Sequence, residues 1–198
     1  MNTTFYLIKY SFILLKIIFN SHNLNNSYKG GINSFCLYLL LLALFIFRKN
    51  QYKSYFEVII DFINFYGNIY IFENNVIDFK YQNPYVNKLN TSQINNYLYF
   101  TNVSIETNSP IVPIIIDPLF NNKNIAQNCF DIENIKKTLS SLYSYIDNCY
   151  NDIFIYYLNN KNINICNNLN LTNYDKEFLN IKTKELIEFL IFNKKLNS

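Results

Sequence analysis

The chain has 198 residues, of which half are hydrophobic and 18% are aromatic, and its formal net charge is +3. This apolar content excludes disorder throughout, since it is enough to form a packed core in one domain or in one domain with a terminal appendage. The mild charge and the absence of a long Lys/Arg run exclude a dedicated basic arm for nucleic acid, but they allow a modest positive patch.

Cysteine and asparagine usage sets two further limits. The four cysteines show no CxxC spacing, and His22 is the single histidine, so a thiolate or imidazole metal site is not expected. Free thiols in a reducing compartment are the favoured interpretation. The cysteines are Cys36, Cys129, Cys149 and Cys166. The 36 asparagines are typical of an AT-rich genome, so most of them are expected at solvated positions.

Two N-terminal segments are very apolar, residues 5–19 and 35–47. The first carries Lys9 and Lys16 on one helical face, and the second is shorter than the roughly 20 residues that span a bilayer. Neither has the cleavage pattern of a secretory signal. Buried core helices are therefore favoured over membrane spans, although an integral membrane protein stays open as an alternative that rests on these segments alone.

Helical periodicity dominates the first third of the chain. It predicts a helix over residues 4–20, a polar loop over 21–31 and a second helix that Asn33 or Ser34 caps and that ends near Phe47. A third helix fits residues 54–66, with Gly67 as its C-terminal stop.

The periodicity changes after Gly67. Residues 69–72 and 76–79 flank an Asn-containing turn and predict a small β-hairpin. Residues 80–110 are polar and Asn-rich, which indicates an insertion. An extended apolar stretch follows over 110–118, and a long helix is predicted from Asp131, its N-cap, to about residue 158.

These elements predict a mainly α fold with a small β-hairpin and short extended segments. We expect one helical domain over residues 1–158, with the Asn-rich insertion at about 80–110. Residues 159–198 are predicted to form an Asn-rich linker and a C-terminal helix.

A lysine, a glycine loop and a hydroxyl stand in order around the loop between the first two helices. These are Lys16, Gly30 with Gly31, and Ser34, followed directly by Phe35. They can converge on an anion at a helix N-terminus, and Phe35 offers a face on which a base can stack. Taken alone, such a loop is more often an ordinary turn between core helices.

A second polar cluster follows the extended stretch 110–118. Asp117 lies at a turn fixed by Pro118, and Lys123 and Asn124 come next. Their donors and acceptors can read the hydrogen-bonding edge of a base. The competing interpretation is a solvated turn in an Asn-biased protein.

The order of these motifs resembles the central and poly(A)-polymerase-associated domains of the noncanonical poly(A) polymerases and terminal nucleotidyltransferases, in the DNA polymerase beta-like superfamily. That family shows a helix ending in LK and then LN-x₄-GG-[ILV]-x-[SG]-[YF]-[SA]-L; here LLK stands at 14–16 and LNNSYKGGINSFCL at 24–37. FFELYG is matched by FINFYG, and IxDPLNPxND by IIDPLFNNKN. The resemblance covers about residues 5–145.

The resemblance implies specific roles. Lys16 and Ser34 would hold the triphosphate, and Phe35 would stack on the incoming base. Asp117 and the loop through Lys123 and Asn124 would read the base edge. It further implies Mg²⁺ and ATP, an RNA 3′ end as acceptor of AMP, partner proteins of an RNA-surveillance complex and a nuclear location, with a cytoplasmic location as the alternative.

The sequence also departs from the family pattern. Asn20 replaces a second lysine found in uridylyltransferases, Lys123 replaces an Asn or His, and Gln127 replaces an Arg. No Asp-x-Asp pair occurs anywhere, and no carboxylate precedes Lys16. We therefore expect no catalytic and no metal-binding residues here, an N-terminal catalytic domain that is missing, and no activity from this chain alone. A noncatalytic scaffold subunit of an RNA-processing complex is the alternative.

Overall fold

The structure, a computed structural model, describes residues 3–87, 111–120 and 123–160. The described residues are mainly helical with one small sheet, which confirms the predicted fold class. The predicted insertion beyond residue 87 and the predicted C-terminal helix lie outside the described residues. The chain divides into two compact units, residues 1–140 and 141–198, and all the candidate site residues belong to the first. The helices are α1 (Thr3–Ser21), α2 (Ser34–Phe47), α3 (Tyr55–Asn64) and α4 (Ile132–Asn160), and the strands are β1 (Asn75–Ile77), β2 (Tyr85–Asn87) and β3 (Ile114–Ile115).

The core of the first unit forms where α1 packs against α2 and α3. Leu15 and Phe19 of α1 are fully buried, and the ring of Phe19 meets that of Phe62 in α3 edge to face, 6.2 Å between centroids. Burial of each such side chain contributes about 1.5–3 kcal/mol. The hydroxyl of Ser11, also fully buried, donates to the carbonyl of Tyr55 at 3.4 Å.

The two apolar segments are helices, as predicted, and both contribute to this core. α2 begins at Ser34, and its N-cap is Asn33, whose side chain accepts from the amide of Cys36 at 2.8 Å. Within α1, residues Thr4–Ser21 are long and apolar enough to cross a membrane by length and composition, but a buried core helix passes the same test. One side of α1 lies against α2 and α3. Only 22% of Thr4–Ser21 is buried, so the interpretation of α1 as a buried core helix stays a prediction.

The end of the third helix differs from the prediction. Ser54 caps α3 as expected, by accepting from the amide of Glu57 at 3.2 Å. The α-helix then ends at Asn64 and continues as a π-helical turn over Phe65–Ile69, so Gly67 is not the stop. A Cβ on Gly67 would lie 2.8 Å from the backbone nitrogen of Ser140. The glycine therefore allows close approach of α4.

The hairpin is present, but its partner strand was predicted wrongly. β1 pairs antiparallel with β2, with Val76 opposite Val86, and residues 69–72 form no strand. Tyr70 and Phe72 are instead buried, with their rings 4.7 Å apart in an edge-to-face contact. Their burial in an aromatic cluster outweighs the strand preference that their alternating pattern suggested.

The predicted extended stretch supplies β3, which pairs parallel with β1 in the order β2-β1-β3. Ile116 continues this pairing by donating its amide to the carbonyl of Ile77 at 2.9 Å. The strand pairing therefore fixes the position of Asp117, the first of the predicted base-edge residues.

Two polar contacts tie α2 to its surroundings. Tyr66 donates its hydroxyl hydrogen to the carbonyl of Leu40 at 2.7 Å, so the 2.6 Å contact with Tyr85 has Tyr85 as donor. Burial raises the pKa of both tyrosines well above the usual range. At the end of α2, Arg48 forms two 2.8 Å bonds with the carboxylate of Asp61. Arg48 is the chain's single arginine, and only a guanidinium presents such a planar fork.

Candidate functional site

Two contacts fix how α1 and α2 run alongside each other. Along the two helices, the rings of Phe12 and Tyr38 meet edge to face with centroids 5.6 Å apart. In the loop over residues 22–33, the amide of Ile32 donates to the carbonyl of Leu24 at 2.8 Å. The loop therefore doubles back, and α2 returns along α1.

Lys16 and Ser34 lie between these two contacts. Lys16 is one helical turn beyond Phe12, and Ser34 is one turn before Tyr38. Because residues four apart share a helix face, both lie on the side where Phe12 meets Tyr38. Both are exposed. Lys16 and Ser34, 18 positions apart in the sequence, thus lie on the facing sides of α1 and α2.

The first turn of α2 has the features of an anion site. Asn33 caps the amide of Cys36, whereas the amides of Ser34 and Phe35 make no hydrogen bond within the described parts of the chain. Free first-turn amides carry the positive end of the helix dipole and favour phosphate. The ring of Phe35 is 45% exposed, so its face is available for stacking. We call Lys16, Ser34 and Phe35 the helix wall.

The two glycines lie where a side chain would collide. Gly30 has a φ of 82°, and a Cβ there would lie 2.6 Å from the ring of Phe130. A Cβ on Gly31 would lie 2.5 Å from the carbonyl oxygen of Leu24 and 2.7 Å from the amide nitrogen of Asn26. The tight loop before α2 therefore depends on both glycines.

Asp117 is bonded to its own turn. Its Oδ1 accepts from the amides of Leu119 at 2.8 Å and Phe120 at 3.2 Å, and its own amide donates to the carbonyl of Lys123 at 3.0 Å. The residue is 7% exposed, whereas Lys123 is exposed. That Asp117 contacts a base stays a prediction; its described bonds hold the turn.

The side chain of Asn124 is also bonded to the backbone around it. Its Oδ1 accepts from the amides of Ile115 and Ala126, both at 3.0 Å, and its Nδ2 donates to the carbonyl of Pro113 at 2.9 Å. At 6% exposure the side chain joins β3 to the loop that follows it. The predicted contact with a base is untested, and the amide is already used by three backbone partners.

The residues 117–120 and 123–131, here the loop wall, pack directly against the start of α2. The thiol of Cys36 donates to the carbonyl of Ile125 at 3.3 Å. The amide of Asp131 donates to the carbonyl of Gly30 at 3.1 Å. Segments 89 and 101 positions apart in the sequence therefore meet in the folded chain.

The cysteines at this contact were not among the predicted site residues. Their spacing in the sequence, 93 positions apart for Cys36 and Cys129, contains no local signal of their proximity. The prediction of free thiols is confirmed for Cys36, Cys129 and Cys149, all of which are buried.

In the part of the chain that the structure describes, neither a cluster of metal-binding side chains nor the pocket near Leu7 and Phe45 lies at the two walls. Among the described residues, no group of three or more His, Cys, Asp or Glu side chains is placed to hold a metal ion. A pocket of about 550 Å³ lies at the opposite end of α1, where Leu7 and Phe45 contribute to its lining, and none of the predicted site residues lines it.

Comparison with known proteins gives one structural relationship. No protein-family model and no curated sequence matches the chain. The fold is similar to a solved structure of the polymerase core of TRAMP, an RNA surveillance complex, with a TM-score of 0.56 and 21% identity. The similarity covers 69% of this chain and 42% of that chain, so the match spans less than half of that chain's length. At this identity the similarity shows the fold alone, over the matched part of each chain.

Proposed function

We propose that this chain provides the nucleotide-recognition region of a template-independent RNA nucleotidyltransferase of the poly(A) polymerase type, which adds AMP to RNA 3′ ends. The observation that carries the proposal is the contact of the loop wall with the first turn of α2, the turn that also carries Ser34 and Phe35. The sequence resemblance implies that the loop before α2 and the loop after β3 adjoin. The fold is similar to a polymerase core, and the two loops are in contact.

Each residue of the helix wall has a chemical role in the proposal. Lys16 supplies a mobile positive charge for the triphosphate, and the amides and hydroxyl of the first α2 turn supply hydrogen bonds. Phe35 stacks on the base, a contact worth roughly 1–3 kcal/mol in nucleic-acid sites. These side chains are exposed and accessible to a ligand.

The loop wall discriminates between bases in the proposal. Lys123 has an exposed side chain, and Asp117 and Asn124 hold the backbone that presents it. Lys123 stands where the family that the sequence resembles commonly has Asn or His. A lysine ammonium group donates hydrogen bonds but cannot accept them. Base preference is therefore proposed to depend on this loop's backbone and on Lys123 together.

The residues described here do not fit a catalytic magnesium site. Phosphoryl transfer to an RNA hydroxyl uses carboxylates that hold two metal ions, and the sequence has no Asp-x-Asp pair. We propose that a separate catalytic domain supplies them and that this chain alone is inactive. An assembly within an RNA-surveillance complex in the nucleus is part of the same proposal.

Titration of the purified chain with a fluorescent ATP analogue tests the proposal. We expect saturable binding that Lys16→Ala weakens about tenfold, equivalent to about 1.4 kcal/mol. Lys9→Ala is the matched control, because it removes an exposed lysine from the same helix about two turns away. Its affinity should change by less than about twofold.

Two results would contradict the proposal. Equal losses in both variants would indicate nonspecific charge attraction. No binding at all, with the chain folded by circular dichroism, would favour a noncatalytic scaffold subunit.

A further inference from the structure

Two buried cysteines occupy the contact between the first turn of α2 and the loop wall, and the proposed nucleotide site uses neither. Cys36 lies in the first turn of α2 with no exposed surface, and Cys129 lies in the loop wall with 1% of its surface exposed. A thiol is a small apolar group in most cores, so its neighbours decide whether it is reactive.

Each thiol bonds the segment that carries the other thiol. Cys36 donates to the carbonyl of Ile125, four residues before Cys129, at 3.3 Å. Cys129 donates to the carbonyl of Gly31, five residues before Cys36, at 3.5 Å. This reciprocal arrangement places the two thiols beside each other, and each one shifts the pKa of the other.

The surroundings make the two thiols unequal. The interaction with the Cys36 side chain lowers the pKa of Cys129, burial opposes this shift, and the backbone amide of Asn33 at the start of α2 lowers the pKa further. The same interaction between the side chains, together with burial, raises the pKa of Cys36. The Asn33 amide, at the N-terminus of α2, favours a thiolate at Cys129, so we assign Cys129 as the attacking thiol.

We propose that Cys36 and Cys129 form a reversible disulfide on exposure to a peroxide, which links the first turn of α2 covalently to the loop wall. The Cys129 thiolate attacks one peroxide oxygen, so that an S–O bond forms as the O–O bond breaks and hydroxide leaves. The Cys36 sulfur, after losing its proton to water, attacks that sulfenic sulfur, so that the S–S bond forms and a second hydroxide leaves. Two thiols are oxidised and one hydrogen peroxide is reduced to two waters.

The bond would fix the separation of the two walls. Ser34 and Phe35 directly precede Cys36, and Lys123 lies six residues before Cys129. Any effect on nucleotide affinity rests on the proposed function, whereas formation of the disulfide does not. The two can therefore fail separately.

Peptide mapping of the full chain tests the pairing. In a Cys149→Ala, Cys166→Ser background, hydrogen peroxide should produce a peptide that links residues 36 and 129, with a mass loss of two hydrogens. The unmodified chain should give the same linked peptide. Closing a loop of this length should raise the Tm by on the order of 5–10 °C, and dithiothreitol should reverse the change.

Cys36→Ala in the same background is the control that separates pairing from simple oxidation. Its Cys129 should accumulate as sulfenic acid, which dimedone traps, with no rise in Tm. Glutathione in the same tube shows that the peroxide is active. The proposal is overturned if the glutathione is oxidised while both thiols of the parent can still be alkylated. It is also overturned if the only disulfide found joins two different chains.

Nucleotide titration of the oxidised and reduced forms completes the test. We expect the ATP-analogue affinity to differ severalfold between them. A disulfide that forms in a chain that binds no nucleotide in either form would contradict the proposed function and leave the thiol pair supported.

Discussion

The helix wall and the loop wall differ in what their polar groups already do. Lys16 and Ser34 are exposed, and the first amides of α2 have no partner among the described residues. Asp117 and Asn124 are almost fully buried and bonded to backbone within a few residues. The comparison separates residues available to a ligand from residues that shape the loop, although the same sequence resemblance selected both sets.

The largest expected effect comes from removing the loop wall's internal support. Asn124→Ala leaves the buried amides of Ile115 and Ala126 without their acceptor, and each costs about 1–3 kcal/mol. We expect the free energy of unfolding to fall by about 3 kcal/mol, measured by urea denaturation.

The neighbouring Asn128 offers a matched control, because it is exposed and carries the same side chain. Asn128→Ala should change stability by less than about 0.5 kcal/mol. If the two substitutions have equal, small effects, Asn124 does not hold the loop, and the contrast between the walls fails.

A smaller loss of stability is expected at the N-cap of α2. Substitutions there should affect stability and nucleotide binding independently. Asn33→Ala removes the acceptor for the Cys36 amide and should cost about 1 kcal/mol of stability. Asn33→Asp retains an acceptor, so its stability should stay within about 0.5 kcal/mol of the parent.

The aspartate variant sharpens the comparison because its charge lies beside the proposed triphosphate position. Its affinity for the ATP analogue should fall severalfold through like-charge repulsion, despite an intact cap. Unchanged affinity in Asn33→Asp would place the anion away from the helix wall.

The sequence was most informative where a local signal coincided with the structure. An Asn cap followed by an apolar run predicted α2 correctly from residue 34 to Phe47. The alternating residues 69–72 predicted a strand that is absent. Tyr70 and Phe72, two positions apart, are buried as an aromatic pair, and this spacing is the same as that of inward-facing residues in a strand. The true partner, β2, lies in a polar stretch without a strand pattern, although Val76 and its partner Val86 are only ten positions apart.

The site divides in the same way. Lys16, Ser34 and Phe35 carried a motif, and the structure places them on adjoining helices. The structural role of Asn124 could not be predicted, since one asparagine among 36 carries no distinguishing signal. The contact of Cys36 with the loop wall is a product of long-range packing and has no trace in local spacing.

The most direct test is a titration of the isotopically labelled chain with ATP, followed by amide resonances. The account predicts that the amides of Ser34 and Phe35 shift together with those of Leu119, Phe120 and Lys123, with one shared dissociation constant. Shifts confined to the pocket near Leu7 and Phe45, or different constants for the two walls, would contradict a single nucleotide-recognition surface.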